Sequence, residues 1–237
     1  MDGPGGSIAL WIMEVCFSQT KDEVMSTIQH YAMECKDAQV ITIIDICESQ
    51  PYRKPKDISE LAIMMEGQDL LTLKEWKVAS DNPAFGPVMS SVPHQWISPL
   101  VIKVKTWLRH PDGRFPLDET NNSSYYACAE ICPSRDSTEI AHLNSVFCQA
   151  MKLICNKVTS YVQEHCELDE ENLSAMHKWT PPDPLFDWDK VMNHVRKGVL
   201  QDGFYRYCDW HVNLNLKCQA DKLAEQLPQE GSSKRPN

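Results

Sequence analysis

The chain has 237 residues, 42% of them apolar and 24% charged, with 23 Lys+Arg against 33 Asp+Glu and a formal charge of −10. That composition excludes a collagen-like, mucin-like or wholly disordered chain and is enough for one mixed domain or two small ones. The acidity argues against a general binder of nucleic acid or anionic membrane, since phosphate affinity comes largely from Lys and Arg.

After a Gly/Pro/Ser leader, the apolar stretch from Ile8 to Phe17 is expected to be a buried strand. Thr20 and Glu23 have capping-box spacing and open a helix with Val24, Ile28, Tyr31 and Cys35 on one stripe. Val40 to Cys47 is a β-branched run and a second buried strand, so the chain starts as a βαβ unit with a parallel pair. Gln50 to Asp57 is loop chemistry, and Ser59 to Met65 fits either a short helix or a strand. Leu70 to Val78 alternates and reads as a strand carrying Glu75 and Lys77 on one face. Ser80 to Pro99 is a proline-rich connection with room for a short strand. Val101 to Arg109 alternates again, with Ile102, Val104 and Leu108 inward and Lys103, Lys105 and Arg109 outward; Tyr125 to Cys132 is the last strand.

From Asp136 the period changes to 3.6: Asp136 and Glu139 form a capping pattern, and Ile140, Leu143, Phe147, Ala150, Ile154, Val158 and Tyr161 make one apolar stripe about seven turns long. Glu167 to Lys178 is a shorter polar helix. A further helical region opens near Asp187, weakened by Gly198 and Gly203. The expected architecture is α+β with an α/β start: a mixed sheet of about five or six strands flanked by helices, followed by a helical C-terminal half. Residues 8–135 form the sheet-containing core, 136–216 a helical region packing on it, and 217–237 a largely disordered tail.

The ten cysteines are spread out with no C-x-x-C pair, and no run of apolar residues is long enough for a membrane span. No basic n-region precedes the first apolar run. The expectation is a soluble intracellular protein, cytoplasmic or nuclear, with buried thiols rather than disulfides and no signal peptide. Cys128 and Cys132 are expected on one face of their strand.

The pieces MEVCFSQT (13–20), LTLKEWK (71–77), WTPPDPLFDWD (179–189) and YRYCDW (205–210) together resemble a family of uncharacterised proteins of mushroom-forming fungi. The first piece also resembles the fungal restriction-endonuclease-like proteins of the PD-(D/E)xK fold, over roughly residues 8–78. That resemblance implies a mixed sheet flanked by helices and a divalent-metal site of acids and a lysine. Its strand glutamate falls on Glu14. Its upstream aspartate has no counterpart in Gly5 to Leu10, Asp2 being the nearest acid, and the position of its helix lysine holds Ser26, Thr27 and Gln29.

A metal-dependent nuclease needs paired carboxylates for Mg²⁺ and a lysine or the metal to activate water. Glu14 with Asp45 is one candidate pair, since a charge in an apolar strand asks for a partner; Asp45 with Glu75 and Lys77 is another. Lys103, Lys105 and Arg109, with Arg53, Lys54 and Lys56 in a loop, form a basic strip suited to a phosphate backbone, but residues 1–135 hold 12 basic against 18 acidic residues, a net of −6. These readings converge on an intracellular protein with a degenerate, non-catalytic nuclease-like fold, no cofactor of its own and a protein partner. The alternatives are a Mg²⁺-dependent DNA phosphodiesterase and an interaction scaffold unrelated to nucleases.

Overall fold

The computed structural model describes residues 8–17, 20–77, 86–166 and 169–226. It divides into two compact units, the first made of 1–49 with 100–193 and the second of 50–99 with 194–237.

The first unit holds one four-stranded sheet in the order β1-β2-β3-β4: Trp11–Phe17, Val40–Glu48, Leu100–Leu108 and Tyr126–Cys132. The β1–β2 pair is parallel and joined through helix α1 (Lys21–Glu34), as the βαβ reading expects, while β2–β3 and β3–β4 are antiparallel. α1 starts at Thr20, whose hydroxyl accepts from the Glu23 amide while the Glu23 carboxylate takes the Thr20 amide; both partners satisfy N–H groups that have no acceptor inside the helix.

Side chains alternate across the sheet, and residues opposite one another in register share a face. One face carries Ile12, Ile41, Ile43, Trp107 and Tyr126, packed with Val24 and Ile28 of α1. The other carries Val40, Thr42, Val104, Thr106 and Ala129 against Leu143, Val146, Phe147 and Ala150 of α4 (Ser137–His165). Its buried polar atoms are satisfied: the Trp11 indole donates to Thr42 Oγ1 at 3.0 Å, and the Thr42 and Thr106 hydroxyls lie 3.1 Å apart. α4 is the long helix expected from the 3.6 period, and Asp136 caps it by accepting the Thr138 and Glu139 amides. α5 (Glu170–Lys178) follows, capped by Asp169.

The two edges of the sheet differ. Outward amides of β4 are taken by side chains, Cys128 N–H by Asn122 Oδ1 and Glu130 N–H by Glu139 Oε2. On edge strand β1 the side chains of Met13, Val15 and Phe17 are exposed on one face.

The second unit is helical. It contains α2 (Glu60–Met65), α3 (Leu73–Trp76) and most of α6 (Trp188–Gln226), with one isolated bridge between Val88 and Ile97. Its core is aromatic: Trp76, Trp96 and Tyr207 are fully buried, with ring centroids of Trp76–Phe204 at 5.5 Å and Trp96–Tyr207 at 5.5 Å. The Tyr207 hydroxyl accepts the Leu71 amide, and Asn215 Oδ1 accepts the Gly67 amide, which tie the 67–72 segment to α6.

Four expectations change. The sheet has four strands rather than five or six, because Leu70 to Val78 does not form one: Thr72 and Glu75 make a capping box and nucleate α3, overriding the alternating pattern. Residue 78 itself lies outside the described residues. The 80–99 connection contributes the Val88–Ile97 bridge and no strand among its described residues. A register shift in β4 places Cys132 opposite Ile102 while Cys128 stays opposite Lys105, so the two thiols lie on opposite faces. α6 continues through Gln226, past the start of the expected disordered tail at 217; residues 227–237 lie outside the described residues.

Candidate functional site

Besides the apolar residues packed with α1, the α1 face of the sheet carries Glu14, Asp45, Lys103, Lys105 and Glu130. Register brings them together. Glu14 stands opposite Ile43 and Asp45 opposite Cys16, so the two carboxylates are diagonal neighbours on adjacent parallel strands and share one face. Asp45 is opposite Lys103, and Lys103 is opposite Glu130.

The ion pairs do not simply follow that ladder. Lys103 Nζ goes to Glu130 Oε2 at 3.8 Å, and Lys105 Nζ reaches diagonally to Asp45 Oδ2 at 3.3 Å. The second Asp45 oxygen accepts the Cys47 thiol at 3.2 Å. Asp45 and Lys105 are 32% and 25% exposed, so water screens the pair only in part. The face holds three acids and two lysines, close to neutral within itself.

Two thiols lie among these charges. Burial, then the negative charges of Glu14 and Asp45, push the Cys16 thiol above its ordinary value. Burial and the hydrogen bond to Asp45 do the same for Cys47. A thiol held protonated is a poor nucleophile, which fits the absence of an activating sequence context around either cysteine.

The other candidate grouping does not assemble as a strand face. Asp45 belongs to the first unit and Glu75 with Lys77 to the second. Glu75 serves its own helix: its Oε2 accepts the Thr72 amide at 2.8 Å and the Thr72 hydroxyl at 2.7 Å, which hold its carboxyl below the usual range. Lys77 is the C-cap of that four-residue helix, and its amide donates to Leu73 O.

The basic row is engaged as well. Arg109 stacks over Phe115 at 4.5 Å and donates to the carbonyls of Ala38, Cys35 and Gly113, so it closes the loops at the end of β3. The sequence alone does not identify Lys105 as the partner of Asp45 or Glu130 as the partner of Lys103. The signal is the lysine alternation in β3; the strand register that converts alternation into contact is not a local property.

Among the described residues no three His, Cys, Asp or Glu side chains cluster as metal ligands. A divalent cation at this face would rest on Glu14, Asp45, water and a substrate phosphate, a ligand set that suits Mg²⁺. No described helix is long and apolar enough to cross a membrane. No family model, no curated protein and no solved structure matches the chain.

Proposed function

We propose that this is a non-catalytic interaction protein on a degenerate nuclease-like sheet. The observation that carries the reading is the state of the charged face: Lys105 is engaged by Asp45 and Lys103 by Glu130, so Asp45 and the two lysines that a nuclease would direct at metal and phosphate serve in cross-strand ion pairs. The exposed Met13, Val15 and Phe17 on edge strand β1 supply the kind of apolar surface that protein contacts use.

A second reading, a Mg²⁺-dependent phosphodiesterase, is favoured by one specific relationship. Glu14 and Asp45 occupy the same face of neighbouring strands with Lys105 beside Asp45, the minimum set for holding a cation and steadying a phosphorane. Thermal unfolding with and without millimolar Mg²⁺ or Mn²⁺, paired with cleavage assays on single- and double-stranded DNA, separates the two. Wild type is expected to show no metal-dependent rise in Tm and no cleavage. A rise that Glu14→Gln or Asp45→Asn removes, with cleavage that fails in the same variants, would establish the enzyme instead.

A further inference from the structure

The second unit contains a cavity of about 340 Å³ between the 52–57 loop and one face of α6. Its size falls at the small end of ligand pockets, which run roughly 300–1,000 Å³.

The wall is built in layers. Trp210 and Leu214 are buried and form an apolar floor. Tyr52 makes one side, and the Arg206 guanidinium lies 4.6 Å from the centre of its ring. The same guanidinium donates through Nη1 to the Trp96 carbonyl at 3.0 Å, which fixes its plane. Trp96 packs on Trp210 with centroids 5.7 Å apart, so the floor and the arginine are braced by the same aromatic core. A planar cation fixed in this way costs little rotamer entropy when an anion arrives.

The rim is where the charge lies. Lys54, Arg206 and Lys217 face Asp57 and Asp209, a local balance of +1 in a chain of −10. Asp57 already takes Lys217 at 2.7 Å, and Asp209 Oδ1 takes the Asn213 amide at 3.3 Å. Both acids thus accept protein donors, and exposed Lys54, whose charge also acts on Asp57, lines the same cavity as Arg206.

We infer that this cavity binds a small phosphate monoester carried on a planar aromatic body, the phosphate between Lys54 and Arg206 and the ring against the Tyr52 and Trp210 walls. Arginine prefers phosphate because its fork matches two oxygens, and an aromatic body offers the apolar floor an area that a bare anion lacks.

Calorimetric titration of the full chain with adenosine 5′-monophosphate tests this, with adenosine and inorganic phosphate as separate arms. The expected result is saturable one-site binding of the monophosphate with Kd below about 1 mM. Adenosine and phosphate are expected to bind at least about tenfold more weakly. Lys54→Glu, at an exposed loop position, should fold normally and weaken the monophosphate by at least about tenfold. Arg206→Lys keeps the charge, loses the fork and should weaken it as well. No saturable binding of the monophosphate, affinity unchanged by Lys54→Glu, or inorganic phosphate binding as tightly as the monophosphate each overturns the proposal.

Discussion

Lys105 passes over its register partner Ile43 to place its ammonium 3.3 Å from the Asp45 carboxylate, leaving Lys103, which stands directly opposite Asp45, to pair with Glu130 on the far side. Two lysines two residues apart on β3 therefore serve acids on two different neighbouring strands. Such half-exposed cross-strand pairs stabilise modestly. In a double-mutant cycle of Asp45→Asn and Lys105→Met, read by urea unfolding, the coupling is expected at about 0.5 kcal/mol in low salt. It should fade near about 1 M NaCl, where the screening length is about 3 Å. Coupling of several kcal/mol that ignores salt would mean that the pair is shielded as a catalytic pocket is.

Glu75 offers a separate test, because its role is set by Thr72 rather than by a metal. The hydrogen bonds from Thr72 depress its carboxyl below the ordinary glutamate value. A depressed acid contributes stability that is fully present above its unfolded pKa and is lost as pH falls through the folded one. Carboxyl NMR titration should therefore give Glu75 a midpoint below that of a free glutamate, and Thr72→Ala should raise it. Glu75→Ala should lower Tm at pH 7 and leave any Mg²⁺ response as it is in wild type. A midpoint in wild type at the ordinary value would show that the capping box is not formed.

That capping box also marks the boundary of what could be read from the chain. Val40 to Cys47 declares itself as a buried strand because β-branched residues fill both faces, and α4 does so because a long apolar stripe keeps a 3.6 period behind Asp136. Leu70 to Val78 reads as a strand because α3 has only four residues, too few to display a period, while its neighbours happen to alternate; the Thr-x-x-Glu signature seen at Thr20 is equally present at Thr72. Glu14 and Asp45 were identifiable as charges in apolar strands. Their common face, and Lys105 beside them, depend on the pairing of strands β1, β2 and β3, which are far apart in the chain. The gathering of 50–99 with the end of the chain has the same origin, in contacts such as Leu71 with Tyr207 that no local pattern announces.

Asp112 should titrate unusually low for a residue in an exposed loop. The Arg114 side chain donates Nε and Nη2 to Oδ2 at 3.0 and 2.7 Å, and the Arg114 amide donates to Oδ1 at 3.0 Å. Together they bring its carboxyl down to about 2. Because the folded pKa lies below the ordinary value of about 3.9, the pair's contribution is complete above that pH and disappears as pH falls through about 2. Carboxyl NMR should show this midpoint in wild type and a return toward the ordinary range in Arg114→Gln. An unshifted wild-type Asp112 would mean that the Arg114–Asp112 pair is not populated in solution.

The two glycines of α6 should respond oppositely to added bulk, although both weaken a helix in principle. A Cβ at Gly198 meets nothing within 4 Å, so Gly198→Ala should only narrow the unfolded ensemble and improve helix propensity. A gain of about 0.5–1 kcal/mol is expected. A Cβ at Gly203 lies 3.2 Å from Trp76 Cη2, 3.2 Å from Val88 Cγ1 and 3.4 Å from Ile97 Cγ1, three side chains of the second unit's buried core. Branching beyond that Cβ has nowhere to go, and Gly203→Val should cost about 1–3 kcal/mol through overpacking. Urea unfolding of both variants reads the sign directly. If Gly203→Val were as stable as Gly198→Ala, α6 would not be seated against Trp76, and the aromatic core that braces Arg206 and Trp210 would lose its footing.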